Sequence, residues 1–206
     1  MMNKYWEQAW ESQRKEQWAN TGIDESEWKA SGRATKANPN KEDGDWWNVE
    51  GSKMVDSWIT WRNGTHPLTL WEVQPGVPAI ELGLTPIWND IPVQMHIDRV
   101  MINPDGELIV VDIKTGVRTP SSDLQLAFYA AGMEEMLGIR PRYGTYWMAR
   151  TGQTAELIDL DYFSKEDIIE IVSKFDQARK AELFIPNLNH CIMCNVKDKC
   201  KYKGKG

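Results

Sequence analysis

The chain has 206 residues, 41% hydrophobic content and a formal charge of -6, which suits one domain, or a domain with an appendage, around a real core. No run approaches the roughly eighteen apolar residues of a membrane span, and Met1 to Glu7 lack the apolar stretch of a signal peptide, so a cytoplasmic protein without a membrane partner is expected. The acidic balance excludes attraction to nucleic acid by global charge, and any such contact must be local.

Residues 3–20 are predicted to form a polar helix with Trp6 and Trp10 one turn apart and Trp18 near the same face. A short helical piece is expected over 26–31, followed by loop chemistry from Gly32 to Asp45. Residues 1–45 thus form a Trp-rich helical appendage. Helical spacing of Trp47, Met54, Val55, Trp58, Ile59 and Trp61 predicts a core helix over 45–62, stopped by Asn63-Gly64. Strands are expected at 79–82, 91–102, 107–114, 143–150 and 155–160, with helices at 121–137 and 164–183. Ser164, three residues ahead of Asp167, marks the start of the last helix. The order predicts an α/β fold whose mixed central sheet is flanked by helices. The catalytic or binding core spans 46–188, and 189–206 form a cysteine-containing basic tail.

The chemistry concentrates in two of these strands. Pro104-Asp105-Gly106 suits a type I turn with a left-handed glycine, a three-residue hairpin loop flanked by Asn103 and Glu107. Counting back along both strands puts Asp98 opposite Asp112, with β-carbons about 5 Å apart. Alternation puts Lys114 on the face of Asp112, while Ile113 between them points into the apolar layer. Two facing carboxylates repel unless a cation lies between them, so a divalent metal is the economical explanation. Hard oxygen donors suit Mg2+ or Mn2+, and Lys114 beside the ion could polarise water and stabilise phosphate charge. On the next helix Gln125 and Tyr129 lie four apart and share a face.

Ile97-Asp98-Arg99-Val100, Val111-Asp112-Ile113-Lys114-Thr115-Gly116 and Gln125-Leu126-Ala127-Phe128-Tyr129 resemble, in order and spacing, the successive motifs of the RecB-like, CRISPR-associated-exonuclease-like branch of PD-(D/E)xK nucleases. The resemblance covers about residues 50–200 and implies a restriction-endonuclease-like fold. It also implies cleavage of DNA, usually as an exonuclease, with Mg2+ or Mn2+, in a bacterial or phage-infected cell; a phage exonuclease acting in recombination, repair or replication is one such protein. It makes Asp98 and Asp112 metal ligands, Lys114 the catalytic lysine and Gln125 with Tyr129 an auxiliary pair. The candidate metal set is Asp98, Asp112, Ile113, Glu81 and Asp56, with Glu81 ranked above Asp56 as the third acidic ligand and counted among the catalytic residues. Two departures from the family stand out: Met95 where glycine is usual three residues before the first aspartate, and no histidine on the first core helix, where Gly51 leads to Asp56. His66 and His96 are alternatives. A catalytically silent DNA-binding or assembly subunit is the competing expectation.

Cys191, Cys194 and Cys200 form a CxxC with a third cysteine six residues later, a spacing that favours bound metal. In the family a similar trio joins an upstream cysteine to hold a [4Fe-4S] cluster. This chain has no upstream cysteine, which leaves an iron-sulfur cluster with another ligand, Zn2+ with a histidine such as His190, or free thiols. Those last possibilities include a zinc-stabilised interaction module. The alternating Lys197, Lys199, Lys201, Lys203 and Lys205 are a candidate basic patch or a solvated tail. The Trp-rich arm could dock on the core, stack on unpaired bases of single-stranded DNA ends, or bind a partner protein.

Overall fold

The computed structural model describes residues 3–24, 42, 44–183, 186–187 and 196–202. The predicted helical piece at 26–31, Cys191 and Cys194 lie outside the described residues. Helix α1 (Lys4–Thr21) starts where the Asn3 side chain accepts from the Tyr5 and Trp6 amides, and it ends at Gly22 in the left-handed region, whose N–H reaches Trp18 O. Helix α2 (Gly44–Asn63) carries the aromatic face that the spacing predicts.

Between α2 and the next helix the chain runs through β1 (Thr69–Leu70), β2 (Glu72–Gln74), β3 (Val77–Pro78), β4 (Ile80–Leu84), β5 (Ile87–Trp88), β6 (Ile91–Pro92), β7 (Met95–Ile102) and β8 (Leu108–Lys114). The single strand expected at 91–102 is two. Trp88 pairs with Ile91 across Asn89-Asp90, both at positive φ, a two-residue hairpin turn that consumes the start of the predicted strand. Helix α3 (Leu124–Leu137) begins three residues later than expected, and α4 (Lys165–Lys180) ends three earlier. Between them lie β9 (Tyr143–Met148), β10 (Gln153–Thr154) and β11 (Ile158–Asp159). The strand expected at 155–160 therefore falls mostly outside the ladder. Ser164 and Asp167 close a reciprocal capping box at the start of α4.

The main sheet runs β1-β7-β8-β9-β10, with β4 added on β7 and β11 on β9. It is antiparallel except at β8 and β9, which run parallel because α3 is their crossover. Four helices flank this curled mixed sheet, the arrangement of a PD-(D/E)XK nuclease fold. On one face Leu108, Val110, Tyr146 and Met148 meet the buried residues of α3 and α4. Helix α3 is apolar nearly all round, with Leu126, Ala127, Tyr129, Ala130, Ala131 and Met133 buried, as a helix between sheet and helix must be. On the other face Met101, Ile109, Val111 and Trp147 meet Met54, Trp58 and Trp61 of α2. Trp58 stacks on Trp61 at 5.2 Å and meets Trp147 edge-on at 4.9 Å. The buried Trp147 ring contributes roughly 1.5–3 kcal/mol by burial alone, and the half-buried Trp58 and Trp61 less.

Helix α1 buries none of its own residues fully, and it docks on α2 through specific contacts. The Asn3 amide donates to Ser52 Oγ at 2.8 Å, Asn3 Nδ2 to Asp56 Oδ1 at 2.6 Å, and Trp6 Nε1 to Asn48 Oδ1 at 3.2 Å. Trp6 lies so close over Gly51 that a β-carbon there would stand 2.2 Å from its ring. Gly51→Ala is therefore expected to strengthen α2 locally, since alanine is the better helix former, while expelling Trp6. Hydrogen exchange should quicken over residues 4–21 and not over the β7–β8–β9 sheet; unchanged protection of 4–21 would show that Gly51 is not the seat of the docking.

Candidate active site

The β7–β8 ribbon sets the site. The Asn103 amide donates to Glu107 O and the Gly106 amide to Asn103 O, both at 3.0 Å; Gly106 sits at φ 83. The Asn103 side-chain oxygen takes the Asp105 and Glu107 amides at 3.1 and 2.8 Å. This tight loop fixes the pairs Ile102 with Leu108 through Arg99 with Val111. One step further, where the regular ladder ends, Asp98 faces Asp112, and Asp98 Oδ2 takes the Ile113 amide at 2.6 Å.

Alternation holds along β8. Leu108 and Val110 belong to the α3 side, Ile109, Val111 and Ile113 to the α2 side, so Asp112 and Lys114 share the α3 side. It slips once along β7 and β4. Ile97 and Val100, three apart, both enter the α3-side core, as do Ala79 and Leu82, while the pairing is the same on either side of the slip (Ile80 with Arg99, Leu82 with Ile97). At the slip Glu81 adopts φ 49, a left-handed conformation that costs a non-glycine residue roughly 1–3 kcal/mol. The slip falls just beyond Asp98, which keeps the face of Asp112 that the hairpin gives it, and it turns His96 to the other. His96 lies instead beside Gly83 and Gln94.

Asp112 is only 2% exposed. Lys114 Nζ lies 2.6 Å from its Oδ2; the contact is one of charge, since that buried oxygen receives no well-directed hydrogen bond. Lys114 Nζ also donates to Gln125 Oε1 at 2.9 Å, and Gln125 Nε2 to Tyr129 Oη at 2.7 Å. The strand pair and α3 thus join in one relay. Burial pushes the Asp112 carboxyl above its ordinary range, against the pull of Lys114 and with a further push from Asp98. Burial also raises the Tyr129 phenol, opposed by its bond to Gln125 and reinforced by the charges of Asp112, Asp98 and Glu81. Three acids therefore bear on one hydroxyl.

Glu81 is exposed, and its carboxylate lies 3.4 Å from Arg99 Nη1. Arg99 also bonds Asp98 O and rests over the Trp58 ring at 5.4 Å. Asp56 is committed to Asn3 and is not brought to the pair. His66 stacks on Trp61 at 4.3 Å, with both ring nitrogens buried and unbonded. Met95, in the family's glycine position, is accommodated by a glycine elsewhere: a β-carbon on Gly132 of α3 would come within 2.4 Å of its sulfur. Cys200 is half-buried and forms no disulfide among the described residues.

Sequence reasoning misses Tyr146 and Arg150. Tyr146 pairs with Asp112 in the parallel ladder, and its ring lies 5.9 Å from Lys114 Nζ. Its phenol is pushed up to about 12, chiefly by burial and then by the charges of Asp123 and Asp112, so it stays neutral beside the lysine. Arg150 donates to Thr115 O at 2.7 Å, grips Glu42 through two bonds of 3.0 Å and lies 4.8 Å from the Trp46 ring. A parallel β8–β9 register could have exposed Tyr146; no local pattern marks Arg150.

Among the described residues no three His, Cys, Asp or Glu side chains gather closely enough to hold a metal by themselves. Two facing carboxylates nevertheless fit a hard cation that keeps several of its waters, and the buried Asp112 Oδ2, which the Lys114 ammonium neutralises without a well-directed hydrogen bond, is the observation that favours one.

A sequence model of the PD-(D/E)XK nuclease superfamily matches residues 1–201, and with the sheet and the Asp98, Asp112 and Lys114 cluster it places the class: the chain belongs to that superfamily. It is also 32% identical to the Gene 69 protein of Mycobacterium phage D29 over 157 residues, 73% of this chain and 57% of that protein. The chain thus spans little more than half the length of this relative.

The raised Asp112 carboxyl sets a sign for stability. The folded state holds that proton above the unfolded carboxylate range, so the metal-free protein should lose stability as pH rises from that range through the folded value. Asp112→Asn should remove the loss: its melting temperature, compared with the parent by calorimetry in chelator, is expected to be higher at neutral pH, with the gap closing in acid. A variant less stable than the parent at neutral pH would show that the Lys114 pair outweighs the burial.

Proposed function

We propose that the chain is a divalent-metal-dependent deoxyribonuclease, acting as an exonuclease in recombination, repair or replication. The observation that carries this reading is the convergence of Asp98 and Asp112 across one ribbon, with the Lys114 ammonium 2.6 Å from Asp112. Asp98, Asp112 and the Ile113 backbone carbonyl would hold Mg2+ or Mn2+, with Glu81 supplying a further oxygen. The bound ion supplies Lewis acidity toward phosphate oxygens and acidifies a water.

Lys114 performs the protein's share of charge stabilisation. Gln125 and Asp112 hold its ammonium in place, so it can face the extra negative charge that develops on phosphorus oxygens as water adds and the sugar oxygen leaves. Tyr129 and Tyr146, both kept neutral, present a hydroxyl and a ring that compete with neither carboxylate for the ion. The exonuclease assignment rests on the resemblance carried by the order of the three motifs, and the preference for single-stranded ends on the Trp-rich arm as a surface on which unpaired bases could stack. A silent subunit would have no use for a buried acid held against a lysine at a stability cost. Cys191, Cys194 and Cys200 are proposed as thiolate ligands of a [4Fe-4S] cluster, with zinc as the alternative; Cys191→Ser should abolish the visible absorption of anaerobically purified protein if the cluster is present, and a colourless parent carrying stoichiometric zinc would decide for zinc.

The test is hydrolysis of end-labelled single- and double-stranded DNA with Mg2+ or Mn2+. Mononucleotides or short oligomers released from an end are expected. Lys114→Ala and Asp112→Asn should each lower kcat by at least about a hundredfold, the usual loss for a group that stabilises developing charge, and Gln125→Ala by less. Parent protein that leaves both substrates intact with either metal would refute the reading.

A further inference from the structure

The segment that joins β8 to α3 is fastened at both ends within the active site. At its start the Ala149 amide holds Lys114 O at 2.9 Å and Arg150 Nε holds Thr115 O at 2.7 Å. At its end Tyr146 Oη bonds Ser122 O at 3.3 Å, and Gln125 returns to Lys114 Nζ at 2.9 Å. Residues 115–119 between these anchors are exposed. Val117, at 74% exposure, is among the most exposed apolar side chains described, and Arg118 follows it.

Arg118 and Arg62 differ from the other described arginines, and of the two only Arg118 lies beside the candidate site. Among the described residues, every arginine except Arg62 and Arg118 sits against a carboxylate. In a chain with thirty acidic residues and a net charge of -6, an exposed guanidinium without an acid partner adds nothing to the fold that a neutral side chain would not. Four Cα–Cα steps separate it from Lys114, which limits the distance between their α-carbons to about 14 Å. That reach covers the phosphates flanking the one being cut. An apolar side chain beside a cation matches the chemistry of a nucleic-acid strand, where a base or sugar adjoins each phosphate.

We propose that the 115–123 loop is a DNA-gripping rim of the active site, on which Arg118 holds a backbone phosphate next to the scissile one while Val117 abuts the neighbouring sugar or base. The inference rests on the nuclease reading for its substrate. It supplies the local positive contact that an acidic protein needs, and it places that contact on the element that also carries Lys114, so gripping and cutting are aligned.

Binding and cleavage can be separated. Anisotropy of a fluorescent single-stranded oligonucleotide, titrated with protein in chelator at several KCl concentrations, measures binding; release of label at saturating DNA with Mg2+ measures turnover. Arg118→Ala should weaken binding about fivefold at 0.1 M salt and flatten the slope of log affinity against log salt by about 0.7, the loss of one phosphate contact on a single strand. Arg118→Lys should restore most of the slope, and Arg62→Ala should match the parent in affinity, slope and turnover. Unaltered affinity and slope in Arg118→Ala would overturn the proposal, as would equal losses in Arg62→Ala, which would indicate diffuse attraction. A parent that binds DNA in an Arg118-dependent way and never cuts it would uphold the rim and sink the nuclease reading; a parent that neither binds nor cuts would sink both.

Discussion

One short loop determines whether this protein has an active site. The register of β7 against β8 follows from the way Asn103 and Glu107 close over Pro104-Asp105-Gly106, and a slip of one residue would turn Asp112 and Lys114 to the tryptophan-lined face. The loop enforces its register by several independent means: a glycine at positive φ, a proline that presets its own φ, and an asparagine side chain that satisfies two backbone amides. The apolar alternation Leu108, Val110 against Ile109, Val111 enforces the same choice from the core. Local turn chemistry and global burial agree, which is how a sequence specifies one pairing over its neighbours.

Within that frame the chain tolerates conflict where the chemistry sits. Asp112 is buried at a cost that Lys114 only partly offsets, and Glu81 holds a left-handed backbone on a strand. The two features sit on either side of Asp98, on adjacent strands. Neither feature serves stability, and their coincidence with the facing carboxylates is what the proposed ion binding would account for. The relay through Gln125 and Tyr129 then makes α3 part of the site as well as part of the core.

The long elements were legible because each carries a strong period: the aromatic spacing of α2, the apolar face of α3, the Ser164 to Asp167 box of α4. The hairpin and its facing acids were legible for a different reason, that Pro-Asp-Gly has few conformations open to it. What escaped depends on contacts distant in sequence. The paired slip at Glu81 and Asp98 leaves no mark in residue type, since glutamate does not signal positive φ, and strict alternation consequently misplaces His96. Asp56 was a reasonable ligand until Asn3, fifty-three residues away, claimed it. Tyr146 becomes visible only once β9 is known to lie parallel to β8 in the register that sets it beside Asp112. Two-residue strands such as β5 and β6 are too short for any periodicity to show.

The two faces of the sheet divide the work. The α2 face is filled with tryptophans that stack on one another and on Trp147, a rigid backing with little room for adjustment. The α3 face opens from its apolar layer into charged groups at the middle of β7 and the end of β8. Arg99 and Arg150 connect the faces from the tryptophan side: Arg99 lies over Trp58 while bonding Asp98 O, and Arg150 lies over Trp46 while bonding Thr115 O. Each guanidinium thus transmits the position of a packed aromatic to the backbone beside a side chain of the candidate site, one next to Asp98 and the other next to Lys114. The abundance of tryptophan in this chain finds its reason there: stiffness on one side of the sheet becomes placement of the acids and the lysine on the other.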